Sequence, residues 1–162
     1  MTAIKPGIRP SSISASLLAL VGNQNSDVRV VGDEPLPFSP VPPEEEEHRF
    51  IEIHEFNGDL WCIREKYAEG QVTSALVAVS ERGVRMLGEA QQFYAHPRIL
   101  SDGAKLAWIC LENPQMPWDG TEIKVAVIQD WQLIAPTVVA GNLEESCLNP
   151  EWGLDDELFF YQ

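Results

Sequence analysis

The sequence predicts an all-β chain, a partial β-propeller of antiparallel four-stranded blades: about two blades plus incomplete flanking strands. Three observations carry that expectation. Short polar turns precede apolar, strand-like runs three times: Asn57-Gly58-Asp59 before Leu60 to Ile63, Ser101-Asp102-Gly103 before Leu106 to Leu111, and Asp155-Asp156-Glu157 before Leu158 to Tyr161. The matched leucines, Leu60, Leu106 and Leu158, lie 46 and 52 residues apart, close to the roughly 40–50 residues of a propeller blade. Finally, Ile123, Val125 and Val127 alternate with Glu122, Lys124 and Ala126, a period of two that turns one strand face inward.

Taken in order, residues 1–34 read as an N-terminal arm and propeller-entry segment. Pro6, Gly7 and Pro10 loosen its start, Ile13 to Val21 could form a short amphipathic helix or an entering strand, and Val28 to Val31 reads as a strand closed by Gly32-Asp33. Residues 35–48 read as a linker. From Glu34 to Glu47 there are five prolines and five glutamates, so nothing regular is expected to persist there. Glu44 to Glu47 in particular should be a solvated charge run, because adjacent carboxylates repel unless water screens them.

Residues 49–162 read as the partial propeller. The first blade takes Phe50 to Ile53, Asp59 to Arg64, Thr73 to Val79 and Val84 to Leu87. The second takes Pro97 to Leu100, Leu106 to Leu111, Glu122 to Ile128 and Thr137 to Ala140. Leu148 to Trp152 and Glu157 to Tyr161 supply two strands of a third blade, which leaves an apolar edge in need of cover.

With 162 residues the chain can bury a core, and its formal charge of −14 argues against a nucleic-acid surface or an anionic membrane. No run approaches the roughly 20 apolar residues of a spanning helix. Ile13 to Val21 is like a signal-peptide core, but Ser14 and Ser16 interrupt it and no Ala-x-Ala pattern follows. Three cysteines without a Cys-x-x-Cys pair support neither a disulfide framework nor a zinc knuckle. Cys62 and Cys110 fall on the same strand face as Leu60 and Leu106, which reads as buried thiols in a reducing, cytoplasmic compartment. His48, His54 and His96 lack metal-ligand spacing and read as surface or turn residues. No catalytic, cofactor or metal residue is nominated by spacing.

Specific strings go further: Phe93-Tyr94-Ala95-His96-Pro97-Arg98, Ser101-Asp102-Gly103 with Leu106-Ala107-Trp108, Asn113 to Glu122 with its Met116-Pro117-Trp118-Asp119-Gly120 loop, then Glu144-Glu145-Ser146 and Pro150-Glu151-Trp152. On these the chain resembles the N-terminal propeller of the prolyl oligopeptidase family, in its dipeptidyl-aminopeptidase and acylaminoacyl-peptidase-like branch. The likeness runs from about Pro35 to Gln162. Relative to that family the stretch near Glu34 is shortened, the third turn at Gly153 to Asp156 is degraded, and the α/β-hydrolase domain is missing.

The resemblance implies a peptidase's substrate-gating domain. The family's chemistry needs a serine in a Gly-x-Ser-x-Gly elbow, and no two of the eleven glycines here are four residues apart. A non-catalytic binding or interaction module, or a truncated remnant, is therefore expected; the alternative is the propeller portion of a serine aminopeptidase or acylaminoacyl peptidase whose catalytic part is encoded separately or lost. A hydrolase domain in trans, self-association through open strand edges, and a peptide ligand are the partners this implies. Trp118 and Asp119 could hold a peptide by stacking and charge, although turn chemistry explains Asp119-Gly120 and packing explains Trp118. Glu144 and Glu145 could receive a free amino group, or be solvated loop carboxylates.

Overall fold

The computed structural model of the chain describes residues 29–30, 36–37, 46–80, 82–88, 90, 93–111 and 114–162. The loose start, the Ile13 to Val21 segment and the carboxylates of Glu44 and Glu45 lie outside them. Strand β1 (Arg29–Val30) pairs with β2 (Leu36–Pro37), Arg29 opposite Pro37. Strand pairing thus enters a segment expected to hold nothing regular. A two-stranded pair tolerates this proline, because a strand edge has N–H positions that need no ladder partner.

The first complete sheet runs β3 (Glu47–Phe56), β4 (Asp59–Ala68), β5 (Gln71–Ser80) and β6 (Gly83–Met86), neighbours in that order and antiparallel throughout. Its strands outrun the expected apolar cores, because polar residues pair across them: His48 lies opposite Lys66 and Arg49 opposite Glu65. Glu46 and Glu47 accordingly depart from the expected solvated run. Lys66 Nζ donates to Glu46 Oε1 at 2.5 Å, His48 Nε2 lies 2.9 Å from Glu46 Oε2, and Arg49 Nε donates to Glu47 Oε1 at 2.8 Å. The Lys66 bond, then the His48 bond, holds the Glu46 carboxyl below its ordinary range.

The second sheet repeats the plan with β7 (Tyr94–Ile99), β8 (Lys105–Cys110), β9 (Glu122–Gln129) and β10 (Gln132–Gly141). A third is the two-stranded pair of β11 (Leu148–Trp152) and β12 (Leu158–Tyr161), joined through a single 3-10 turn at Leu154–Asp156. Every strand expected between residues 49 and 162 is present.

Alternation along the strands builds three apolar layers. On one face of the first sheet, Leu60, Cys62, Ala75, Val77 and Val79 cluster with Phe50. On the other, Trp61, Ile63, Leu76 and Ala78 pack against Leu106, Trp108, Cys110 and Ala126 of the second sheet. The opposite face of the second sheet contributes Ile109 and Ile123, which meet Cys147 and Leu158. Burying each large aliphatic side chain in these layers is worth about 1.5–3 kcal/mol. Cys62, Cys110 and Cys147 are all buried and none forms a disulfide.

Candidate functional site

The strands that open the three sheets, β3, β7 and β11, lie side by side where the sheets converge. Each carries the same irregularity. Between Ile51 and His54, Ala95 and Arg98, and Leu148 and Glu151, one extra residue is inserted relative to the paired strand. In each bulge the first of the two residues between those paired positions has left-handed backbone: Glu52 at φ 51°, His96 at φ 49° and Asn149 at φ 52°. A bulge bends its strand and re-aims the side chains around it.

Here it brings His54, Arg98 and Glu151, which hold equivalent places, into one belt across three sheets. Arg98 Nε donates to Glu151 Oε1 at 2.7 Å, and Arg98 Nη1 donates to Pro97 O and to His54 Nε2, each at 3.0 Å. One residue pair back, Glu52 Oε2 accepts the His96 backbone N–H at 2.7 Å and lies 3.8 Å from His96 Nδ1. Trp152 Nε1 donates to Arg98 O at 2.8 Å, which ties the third sheet to the second.

His54 and His96, expected as surface or turn residues, are thus partly buried joints between sheets. Burial, then the Arg98 charge, lowers the His54 pKa below its ordinary value, against the opposing pull of Glu52 and Glu151. Among the described residues no three His, Cys, Asp or Glu side chains converge as a metal-ligand set. The Cys62 thiol is pushed up to about 12 by burial, so it carries essentially no thiolate at neutral pH.

The four residues singled out as peptide contacts lie on two loops at one end of the second sheet, and the fold brings those loops together. Gln115 Nε2 donates to Leu143 O at 3.3 Å, Ser146 Oγ to Pro117 O at 2.6 Å, and Thr121 N to Glu145 O at 3.2 Å. Buried Thr121 completes the link, its hydroxyl donating to Cys147 O at 2.6 Å and accepting the Cys147 N–H at 2.8 Å. Asp119 makes the turn: Oδ2 accepts the Met116 N–H at 3.1 Å, and its own N–H donates to Met116 O at 2.9 Å. Trp118 departs from the packing expected of it and is 72% exposed. Glu145 is engaged by Asn142 Nδ2 at 3.1 Å and by Gln162, while Glu144 stays exposed.

Sheets of antiparallel strands converging on bulged inner strands define a partial β-propeller, two blades complete and a third begun. No family model and no curated protein matches the chain. Solved structures do. The chain matches a Mycobacterium tuberculosis puromycin-hydrolyzing peptidase with a TM-score of 0.74 and 30% identity, over 84% of this chain and 23% of that one. Against puromycin hydrolase the TM-score is 0.78 with 26% identity, over 89% of this chain and 25% of that one. The chain therefore resembles a shortened propeller portion of prolyl oligopeptidase-family peptidases, and spans about a quarter of their length.

Proposed function

We propose that the chain is a non-catalytic propeller portion, akin to the substrate-gating domain of a serine peptidase, that acts as a binding or interaction module. Its likeness to about a quarter of two puromycin-hydrolysing peptidases supports this, as does the lack of a Gly-x-Ser-x-Gly elbow within its 162 residues. The 30% identity favours a second reading, in which the chain serves as the propeller portion of an aminopeptidase or acylaminoacyl peptidase whose hydrolase domain is encoded separately. Under either reading it works with a hydrolase domain in trans or through its open strand edges. Three buried thiols suit a reducing, cytoplasmic compartment.

A peptide ligand is proposed to lie across the loops of Trp118, Asp119, Glu144 and Glu145, where an exposed indole and acidic side chains share one end of the second sheet. The test is twofold. The purified chain, given aminoacyl and acylaminoacyl chromogenic substrates, is expected to show no turnover above background; serine-inhibitor-sensitive turnover overturns the non-catalytic reading. Short peptides with a free amino terminus are expected to shift Trp118 fluorescence, and Trp118→Ala to abolish that shift without altering the melting temperature. A shift that survives the substitution removes Trp118 from the site.

A further inference from the structure

The three buried cysteines lie in three different apolar layers, so none has a second thiol to pair with. What stands beside each sulfur also differs. Cys62 Sγ reaches a main-chain carbonyl, Leu60 O at 3.9 Å, and its burial is opposed by the charge of Arg64. Cys147 feels its burial and then the charge of Glu145. A guanidinium stays protonated and a carboxylate carries no nitrogen, so neither neighbour is an amine nucleophile. Cys110 has one.

Cys110 ends β8 directly opposite Glu122, and Trp108 of the same strand lies opposite Lys124. Residues two apart on a strand share a face, so Cys110, Glu122 and Lys124 stand together, with Lys124 the diagonal neighbour of Cys110. One oxygen joins the three: Glu122 Oε2 lies 3.3 Å from Lys124 Nζ and accepts from Cys110 Sγ at 4.0 Å. Burial works to lower the Lys124 pKa, but Cys110, and after it Glu122, outweigh it and hold the ammonium above its ordinary value. Cys110 itself is 3% exposed, while the Lys124 and Glu122 side chains are 20% and 35% exposed. The sulfur therefore sits just behind a polar rim.

We propose that hydrogen peroxide converts Cys110 and Lys124 into a reversible sulfur–nitrogen cross-link, a sulfenamide, with Glu122 as the proton carrier. The neighbouring ammonium favours the thiolate, the form that attacks an oxidant. Sulfur attacks one peroxide oxygen; the S–O bond forms as the O–O bond breaks, and the departing hydroxide leaves as water with the thiol's proton. Sulfur has given two electrons to the peroxide and is now a sulfenic acid. Being neutral, it no longer supports the charge on Lys124, whose proton passes to Glu122 Oε2. The free amine then attacks sulfur. The N–S bond forms, the S–O bond breaks, and hydroxide leaves as a second water with a proton from the nitrogen, while Glu122 returns its own to solvent. Sulfenic acids condense with a thiol or with a nitrogen, and only the nitrogen is in place here. The bond ties β8 to β9 beside the layer shared by the first two blades and removes the Lys124 charge there.

The intact chain, reduced and then exposed to a small excess of hydrogen peroxide, is expected to lose the mass of two hydrogens and to regain it in dithiothreitol. Peptide mapping should join Cys110 to Lys124, with tryptic cleavage after Lys124 lost. Cys110 should oxidise at least about tenfold faster than Cys62. Lys124→Arg keeps the charge without the amine. With circular dichroism retained, it is expected to abolish the link and leave a Cys110 sulfenic acid that dimedone traps. Glu122→Gln, likewise folded, is expected to slow closure of the link at least about tenfold. The proposal is overturned if the wild-type chain leaves Cys110 unreacted or oxidised without a link, if Cys62 or Cys147 oxidises as fast, if the mass loss survives in Lys124→Arg, or if Glu122→Gln closes the link at the wild-type rate.

Discussion

Arg98 Nη1 stands 3.0 Å from His54 Nε2, and these two residues hold the same place in successive blades. A guanidinium can only donate, so the imidazole must offer an unprotonated Nε2. The joint between the blades is therefore built around a neutral histidine. Glu52, Glu151 and His96 complete its charged surroundings.

The pH dependence of stability follows. The folded chain holds the His54 pKa below its ordinary 6.5, so on acidification the unfolded chain takes up that proton first. The contribution is complete above about pH 6.5 and is lost as pH falls from there toward the folded value. His54→Gln keeps an acceptor without the titration, and is expected to flatten this segment of the urea midpoint plotted against pH. An unchanged slope assigns the titration elsewhere.

Arg98 is the shared partner of three blades, and its removal leaves His54, Pro97 O and Glu151 without that donor at once. Arg98→Ala is expected to cost about 1–3 kcal/mol in urea unfolding. Arg98→Lys, which keeps the charge but not the fork, should recover some of the loss. A double-mutant cycle with Glu151→Gln ought to show coupling; additivity within about 0.5 kcal/mol shows that the pair is only a surface contact.

Gly141 closes β10 at φ +80°, and a Cβ there would stand 1.9 Å from Thr121 O. Neither the backbone conformation nor the space admits a side chain, and the colliding atom is main chain. Gly141→Ala is expected to destabilise by at least about 1–3 kcal/mol. Because Thr121 links the two loops that carry Trp118 and Glu145, the same variant should show faster exchange at the Cys147 amide.

Thiol chemistry gives a fourth test. With Cys62 at about 12 and all three cysteines buried, the native chain should label slowly with an aromatic disulfide reagent at pH 8. All three thiols should react promptly in denaturant. Fast native labelling of Cys62 shows that its layer opens readily.

Strand positions were readable because each apolar run is strand-length and follows a Gly, Asn or Asp turn. The loops of Trp118 and Glu145 were readable as loops. The belt of His54, Arg98 and Glu151 was not, for a definite reason. Counted to the matched leucines, the three residues lie six, eight and seven positions away, so aligning on the leucines scrambles them. Only the bulges, each with one inserted residue, restore the equivalence. None of Glu52, His96 and Asn149 is glycine, and although His and Asn enter the left-handed region more readily than most side chains, the strand-like surroundings of all three give no turn signal. Glu46 misled because a run of like charges reads as solvated until Lys66 arrives from the neighbouring strand.

Alternation, turn residues and repeat spacing determined by themselves that the chain is all-β and built of stacked four-stranded units, because those signals act within a few residues along the chain. Tertiary structure decided which residues of different blades meet and where the joints are polar. Those outcomes depend on contacts between strands more than 40 residues apart, and each bulge, by shifting an inner strand one residue against its own hairpin partner, changes which side chains reach them.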